Sequence, residues 1–161
     1  MTLRVVVIGI GNPYRSDDGV AIRVLERLRR VGPAVCYVEH DGEASRLLDV
    51  WENADLAIVL DACRSGAPPG TIHDLDLTED DAPVGLGAVS GHAVGLAEAV
   101  RLARALDRLP GCLRVVAVDV DDLRAGTELS PAVAAAVPAL VQVALAALSS
   151  GRGARRRDPP S

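Results

Sequence analysis

Three side chains in this sequence could together hold a metal ion: Asp18, Asp61 and His92. Asp18 follows the first predicted strand, Asp61 follows the third, and His92 stands where a helix is predicted to begin. Two carboxylate oxygens and one imidazole nitrogen suit zinc, nickel, manganese or iron. Because three protein ligands leave coordination positions open for water or a substrate, such a site could support metal-assisted hydrolysis.

Each of the three residues also has a purely structural explanation. Asp18 can face the positive end of a helix dipole, which stabilises by about 0.3–1 kcal/mol. Asp61 can form a turn, and His92 can cap a helix or lie solvated at the surface. Spacing alone leaves both interpretations open. The sequence has no H-E-x-x-H, no G-x-S-x-G around Ser90 and no Cys–His pair of recognisable spacing, so few other catalytic classes compete.

The first element that must position these residues is an apolar strand. The run from Leu3 to Ile8 is β-branched and nearly uncharged, which is typical of a central strand covered by helices on both faces. Gly9 and Gly11 then allow a sharp turn and a close backbone approach. The chain leaves this turn through Asn12-Pro13, which extends the loop.

A helix is predicted directly after this loop. Ser16 can cap it, with Asp17 and Asp18 in its first turn. Gly19 lies in the same turn, where glycine costs about 1 kcal/mol relative to alanine, so another group is expected to approach closely. A loop and a helix start therefore share one small pocket, at the place where a parallel α/β sheet usually positions its chemistry.

Apolar runs and helical periodicity alternate along the rest of the chain. We predict helices over 18–30, 43–51 and 92–109, a terminal helix from Ser130-Pro131, and strands over 34–39, 55–60, 71–77 and 113–120. Strand 71–77 alternates apolar with polar residues, which predicts an edge strand with a solvated His73. The fold class is therefore α/β, a three-layer sandwich whose mostly parallel five-stranded sheet is flanked by helices. Residues 78–91 are a candidate mobile flap beside the site.

Composition limits both organisation and function. With 161 residues, 49% of them hydrophobic, the chain fits a single domain over 1–148, followed by a basic tail over 149–161 that we expect to be disordered. Aromatic residues make up only 2%, so stacking platforms for nucleic acid are not expected. All 17 basic residues are arginines, which excludes a phosphate-loop lysine and a Schiff-base lysine.

The sequence near the N-terminus leads us to expect a cytoplasmic protein. We expect no signal peptide, because the first strand begins after one arginine and is broken by glycine. The apolar stretch 132–148 contains Pro138 and Gln142, which favours a buried terminal helix over a membrane span. The cysteines match no paired zinc spacing and are expected to be buried free thiols: Cys36, Cys63 and Cys112. Cys63 stands out because it follows Asp61 at a strand end.

Several of these features, taken together and in order, resemble the hydrogenase maturation proteases. The resemblance runs from about residue 4 to residue 145. Its motifs are Gly9-x-Gly11-Asn12, Asp17-Asp18-Gly19, Val59-Leu60-Asp61-Ala62, Pro69-Gly70-Thr71, Ser90-x-His92 with Gly95-Leu96, and Leu129-Ser130-Pro131-x-Val133. The resemblance implies an endopeptidase that removes a short C-terminal extension from the large-subunit precursor of nickel-iron hydrogenase after nickel insertion.

By this resemblance, Asp18, Asp61 and His92 occupy the positions of the family's three metal ligands and would be the catalytic residues. They would recognise the nickel that the precursor already holds, so the isolated protein need not carry a permanent metal. No organic cofactor is implied. One carboxylate would act as the base while nickel polarises the scissile carbonyl or a bound water. The expected partner is the precursor, with no nucleic acid and no membrane.

The sequence departs from the family pattern at three places. Asp18 stands where many members have glutamate, and Ala21 stands where glycine is common. The segment Val118-Asp119-Val120-Asp121 replaces a more usual glycine and a glutamate-proline pair. These departures concern the subgroup and the substrate more than the fold or the site. Tyr14 and Arg15 could contact the substrate tail or could be ordinary exposed loop residues.

Two other functions stay open at this point. A non-cleaving nickel-occupancy sensor or chaperone would bind the same precursor through the same three ligands. A dinucleotide-binding domain is suggested by Gly9-x-Gly11 and by Glu39 at the end of the second strand. Tyr14, however, replaces the third glycine that would let the helix pack closely on the strand.

Overall fold

The computed structural model describes residues 2–80 and 92–154, and the side chains of 92–94 and 152–154 lie outside that description. The described elements are β1 Val5–Ile10, α1 Val20–Val31, β2 Cys36–His40, α2 Ala44–Trp51, β3 Leu56–Cys63, β4 Ile72–Asp76, α3 His92–Ala105, β5 Leu113–Asp119 and α4 Pro131–Ala154. A 3-10 turn, Ser16–Gly19, directly precedes α1.

The five strands of the described residues form one sheet in the order β2-β1-β3-β5-β4. β1 pairs with β2 and β3 in parallel, β3 pairs with β5 in parallel, and β4 pairs antiparallel with β5 at the edge. Strand side chains alternate between the two faces. Val7 and Leu60 join the core beneath α1 and α4, whereas Ile8 and Val59 join the core beneath α2 and α3. The predicted three-layer α/β sandwich and its edge strand are confirmed.

The central strands are buried along their whole length. Helices cover β1 and β3 on both faces of the sheet, which is why β1 has no polar side chain and β3 has none before Asp61. β3 is longer than predicted, because β5 pairs with it as far as the partners Cys63 and Asp119. Asp61 therefore lies inside the strand rather than just after it.

The terminal helix begins at Pro131, as predicted, but it continues beyond the predicted domain boundary. It runs to Ala154, six residues past Leu148. Gly151 lets the helix pack on β3, since a Cβ atom there would lie 2.5 Å from Cδ2 of Leu56. The remainder of the predicted tail, 155–161, lies outside the described residues.

The stretch Pro131–Gly151 is long and apolar enough to cross a membrane, the one such helix among the described residues. The core helix of a globular domain passes the same test. Here the apolar stripe of α4 packs against α1 and one face of the sheet, and Val137, Val141 and Leu148 are buried in that core. This placement agrees with the buried terminal helix that Pro138 and Gln142 favoured.

Two further predictions, on the end of α3 and on the burial of the cysteines, were wrong. α3 ends at Ala105, because Asp107 adopts a positive φ of 54° that breaks the helix, and Leu106 is therefore exposed. The cysteines are free, but they are not all buried: Cys36 is exposed and Cys112 is half-buried. Cys36 is exposed because β2 is the other edge strand of the sheet.

Candidate active site at the carboxyl edge of the sheet

The strand order reverses between β1 and β3. α1 leads from β1 to β2 over one face of the sheet, and α2 leads from β2 to β3 over the other face. In an open α/β sheet, such a reversal leaves a crevice at the carboxyl ends of the two strands, where ligands bind. Asp18 follows β1 and Asp61 lies near the end of β3, so both carboxylates stand at this crevice.

Asp18 is held in the crevice by a turn that folds back over the end of β1. The backbone carbonyl of Asp18 accepts a hydrogen bond from Asn12 N at 3.2 Å. A Cβ atom at Gly11 would lie 2.1 Å from that carbonyl oxygen, and one at Gly19 would lie 3.0 Å from Cα of Pro13. The close approach predicted for these glycines is real, and the approaching group is the chain itself.

The side chain of Asp18 is fully buried. The guanidinium of Arg15 lies near it, with Nη1 3.8 Å from Oδ2. Arg15 is about one-third exposed, so this ion pair is screened by water and contributes little to stability. The arrangement places a positively charged, partly exposed group next to the buried carboxylate of Asp18.

Ser16 does not cap α1, contrary to the sequence prediction. It has a positive φ of 46°, and its hydroxyl donates to the backbone carbonyl of Arg124 at 2.8 Å. Asp17 and Asp18 accordingly lie in the 3-10 turn and not in the first turn of α1. The reason is that both Ser16 and Asp17 form hydrogen bonds with the loop 121–130, and neither side chain is then directed at the N-terminus of α1.

Asp17 has a different role from Asp18, although the two are adjacent. Its buried carboxylate accepts hydrogen bonds from the backbone N–H groups of Asp121 (3.0 Å), Asp122 (2.8 Å) and Ser130 (2.6 Å), and from the Ser130 hydroxyl (2.7 Å). Asp17 thus fastens the loop 121–130 to the turn that carries Asp18. Sequence reasoning missed this role, because no local pattern links position 17 to a loop more than 100 residues later.

Asp61 is buried in β3, with 3% of its surface exposed. Its Oδ1 accepts a hydrogen bond from the N–H of Ala62 at 2.8 Å, which fixes the orientation of the carboxylate. Its side chain lies on the face covered by α2 and α3, since its neighbours Leu60 and Ala62 point into the opposite core. Asp61 is therefore positioned by rigid sheet rather than by a mobile loop.

The start of α3 lies at the same edge of the sheet. Gly95 packs against the loop after β2 so tightly that a Cβ atom there would lie 1.7 Å from the carbonyl oxygen of Gly42. His92 is the first residue of α3, one turn before Gly95, but its side chain lies outside the described residues. Most of the predicted flap, 81–91, lies outside them too. The structure thus brings the backbone of His92 to the edge that carries Asp18 and Asp61.

Cys63 is not a nucleophile in this site. Burial, together with the nearby carboxylates of Asp119 and Asp61, raises the pKa of the Cys63 thiol to about 12. A reactive cysteine needs a lowered pKa and access to substrate. The candidate chemistry at this edge therefore depends on the carboxylates.

An open groove runs beside the crevice. It has a volume of about 900 Å³ and is lined by Ser16, Arg64 and the segment 121–131. Arg64 donates to the backbone carbonyl of Asp121 at 3.0 Å, which closes one wall. Two of the lining residues, Ser16 and Arg64, lie two and three residues along the chain from Asp18 and Asp61, which places the groove next to the elements that carry the two carboxylates.

Known proteins share this architecture and about 30% of this sequence. The structure of the hydrogenase maturating endopeptidase HybD from Escherichia coli matches with a TM-score of 0.76 and 27% identity, over 92% of this chain and 93% of that one. HupD, a hydrogenase expression/formation protein of Thiocapsa roseopersicina, is 32% identical over 163 residues, which is 96% of this chain and 72% of its own. The hydrogenase 2 maturation protease of Escherichia coli is 32% identical over 155 residues, covering 92% and 93%.

These likenesses define the class of protein as endopeptidases, which are hydrolases. The sequence profile of the hydrogenase maturation protease family matches residues 22–147. The chain belongs to the hydrogenase maturation protease family.

Proposed function

We propose that this chain is a cytoplasmic endopeptidase that removes the C-terminal extension of a nickel-iron hydrogenase large-subunit precursor after nickel has been inserted. Family membership supports proteolysis, and the Escherichia coli relative is by its name the maturation protease of hydrogenase 2. The observation that carries the proposal is the placement of two buried carboxylates, Asp18 and Asp61, at the reversal of strand order.

Nickel enters this proposal as part of the substrate, held by the precursor. Asp18, Asp61 and His92 are the proposed ligands. The donor set fits, because carboxylate oxygens and an imidazole nitrogen are ligands that nickel accepts. Two carboxylates buried in one crevice also favour a cation as their common ligand, since burial of like charges is costly without one. No organic cofactor is needed for the reaction.

The chain's own residues then perform two tasks. Asp61, oriented by the N–H of Ala62, and Asp18, oriented by its turn, hold the scissile region at the crevice. One of the two carboxylates accepts the proton of the attacking water, as a general base. Nickel, when bound, supplies Lewis-acid polarisation of the scissile carbonyl or of that water.

The groove beside the crevice is the proposed binding site for the extension. An extended peptide needs an open channel with polar groups along its wall, and the segment 121–131 offers backbone groups and the charged Arg124 there. Asp17 keeps this wall in place through its bonds to the loop. The positions of Ser16 and Arg64 would direct the scissile bond toward Asp18 and Asp61.

The test is the intact mass of a nickel-loaded large-subunit precursor from the same genome, measured after incubation with this protein. Loss of a C-terminal peptide from the nickel-loaded precursor, and not from the metal-free one, is the expected result. Asp18→Asn and His92→Ala should lower the rate by at least about a hundredfold while the proteins stay folded. Asp107→Asn is the matched control, because Asp107 is exposed beyond α3 and asparagine tolerates its positive φ.

Two outcomes would change the conclusion. An unchanged mass with several candidate precursors, despite stable binding, would indicate a non-cleaving sensor of nickel occupancy. Full activity of a folded His92→Ala protein would remove His92 from the site.

A further inference from the structure

A second cluster of side chains lies beside the candidate active site. Cys63 of β3, His73 of β4 and Asp119 of β5 each offer one ligand atom, and these atoms all lie within 4.8 Å of one another. Cys63 and Asp119 are partners on neighbouring strands, and His73 pairs with Ala117, two residues before Asp119. Because strand side chains alternate, all three point to the face of the sheet that also carries Asp61.

The cluster is organised around the carboxylate of Asp119, which is almost fully buried. His73 Nε2 lies 2.6 Å from Oδ2, and Ser65 donates its backbone N–H (2.7 Å) to Oδ1 and its hydroxyl (2.8 Å) to Oδ2. Burial alone would raise the pKa of Asp119, but the hydrogen bonds from His73 and Ser65 lower it below its ordinary value. A charged carboxylate is therefore held in a fixed orientation beside an imidazole and a thiol.

Two catalytic explanations of the cluster fail on geometry. A Ser-His-Asp triad needs serine and aspartate on different nitrogens of the imidazole. Here Ser65 Oγ (3.4 Å) and Asp119 Oδ2 (2.6 Å) both approach Nε2 of His73. A cysteine nucleophile needs access to substrate, and Cys63 is fully buried.

We propose that Cys63, His73 and Asp119 bind a divalent cation of the zinc class at a site separate from Asp18, Asp61 and His92. A thiolate, an imidazole and a carboxylate form a donor set that zinc prefers, and three protein ligands leave the fourth position to water. The thiol loses its proton when it coordinates the metal. The inference does not depend on the proposed proteolytic function.

The dimensions of the cluster fit such an ion after small shifts. Tetrahedral zinc keeps its ligand atoms about 3.3–3.6 Å apart, given bonds of about 2.0–2.3 Å. The present spacings, from 2.6 Å between His73 and Asp119 to at most 4.8 Å, bracket that range, so movements of about 1 Å suffice. His73 lies on the edge strand with 29% of its side chain exposed, which gives the ion a path of entry. Ser65 already orients Asp119, as outer hydrogen-bond partners of metal ligands do.

The test uses Co²⁺ as a spectroscopic substitute for Zn²⁺, added to the metal-free full chain. The expected result is a cobalt–thiolate charge-transfer band that Zn²⁺ abolishes by competition, together with a rise in Tm when Zn²⁺ is added. The band should be lost in Cys63→Ser and should remain in Cys36→Ser and Cys112→Ser, which are matched controls for the other thiols. Ser65→Ala should weaken the affinity by about 10–100-fold, because it removes the hydroxyl that orients Asp119.

Further variants separate this site from the proposed active site and from misfolding. Asp18→Asn and His92→Ala should keep the cobalt–thiolate band, whereas His73→Ala should lose it. Because His73 is partly exposed, the His73→Ala protein is expected to fold, and circular dichroism checks this. The proposal is overturned if the wild-type chain gives no band, if the band survives in Cys63→Ser, or if it disappears in Asp18→Asn. A failed precursor-processing assay would leave these readouts unaffected.

Discussion

The division of roles between Asp17 and Asp18 leads to a prediction that two conservative substitutions can test. Asp17 is fully buried and accepts four hydrogen bonds from the loop 121–130, three of them at Oδ2 and one at Oδ1. In Asp17→Asn, the side-chain amide can be placed in two orientations. The one that keeps more hydrogen bonds puts the amide nitrogen at the Oδ1 position, where it faces the N–H of Ser130. The neutral amide oxygen then accepts the three bonds that a carboxylate accepted before.

The expected loss can be worked out from these contacts. One N–H left without an acceptor costs about 1–3 kcal/mol. The three remaining hydrogen bonds change from a charged to a neutral acceptor, which costs roughly 0.5–1 kcal/mol each. Relief of a buried charge offsets part of this sum. We therefore expect the free energy of unfolding to fall by about 3 kcal/mol, which for a chain of this size lowers Tm by about 6–12 °C.

Urea and thermal unfolding of Asp17→Asn and Asp18→Asn provide the measurement. Asp18→Asn should change the free energy of unfolding by less than about 1 kcal/mol, because the four loop bonds all go to Asp17 and removal of a buried charge is close to neutral. The reasoning is refuted if Asp17→Asn unfolds within about 1 kcal/mol of the wild type, or if Asp18→Asn is destabilised as much as Asp17→Asn.

Two further predictions concern the elements that frame the site. Gly95→Ala should displace the start of α3, since its Cβ would lie 1.7 Å from the carbonyl oxygen of Gly42. We expect the free energy of unfolding in urea to fall by at least about 1–3 kcal/mol. An unchanged urea midpoint would contradict the close packing of Gly95 on Gly42. The exposed Glu43 caps α2, and hydrogen bonds from the Ser45 hydroxyl and from the N–H groups of Arg46 and Ser45 lower its pKa from 4.5 to about 2. The contribution of the charged Glu43 cap to stability is therefore fully present above pH 4.5 and is lost as the pH falls through about 2. Glu43→Gln should accordingly lower Tm at pH 7 and should differ less from the wild type near pH 2. Glu26→Gln, on the exposed face of α1, is the control, and an equal effect of the two substitutions at pH 7 would argue against the cap.

The sheet could be predicted from the sequence because its central strands carry a strong local signal. β1 and β3 are apolar without interruption, and such runs have few alternatives in an α/β chain. The end of β3 could not be predicted, because Asp61 resembles a terminating residue in isolation. Its place inside the strand depends on pairing with β5, more than 50 residues later.

The cluster of Cys63, His73 and Asp119 was only partly visible in the sequence. Period-2 alternation after Asp61 puts Cys63 on the same face, so that one relation could have been predicted. His73 was predicted to be a solvated edge residue, and the edge position is correct. Its contact with Asp119 needs the antiparallel register of β4 and β5, which neither strand specifies alone.

The glycine turn after β1 shows how one motif can serve two different chemistries. In a dinucleotide-binding fold, such glycines let the backbone approach a pyrophosphate. Here the space next to Gly11 is filled by the carbonyl of Asp18, 2.1 Å from where a Cβ atom would stand, and Asn12 N donates to that same carbonyl. A phosphate at this turn would have to displace the 3-10 turn that buries Asp18. The small residues at 11 and 19 are therefore needed to bring a carboxylate to the end of β1, which argues for the hydrolytic interpretation of the motif over nucleotide binding.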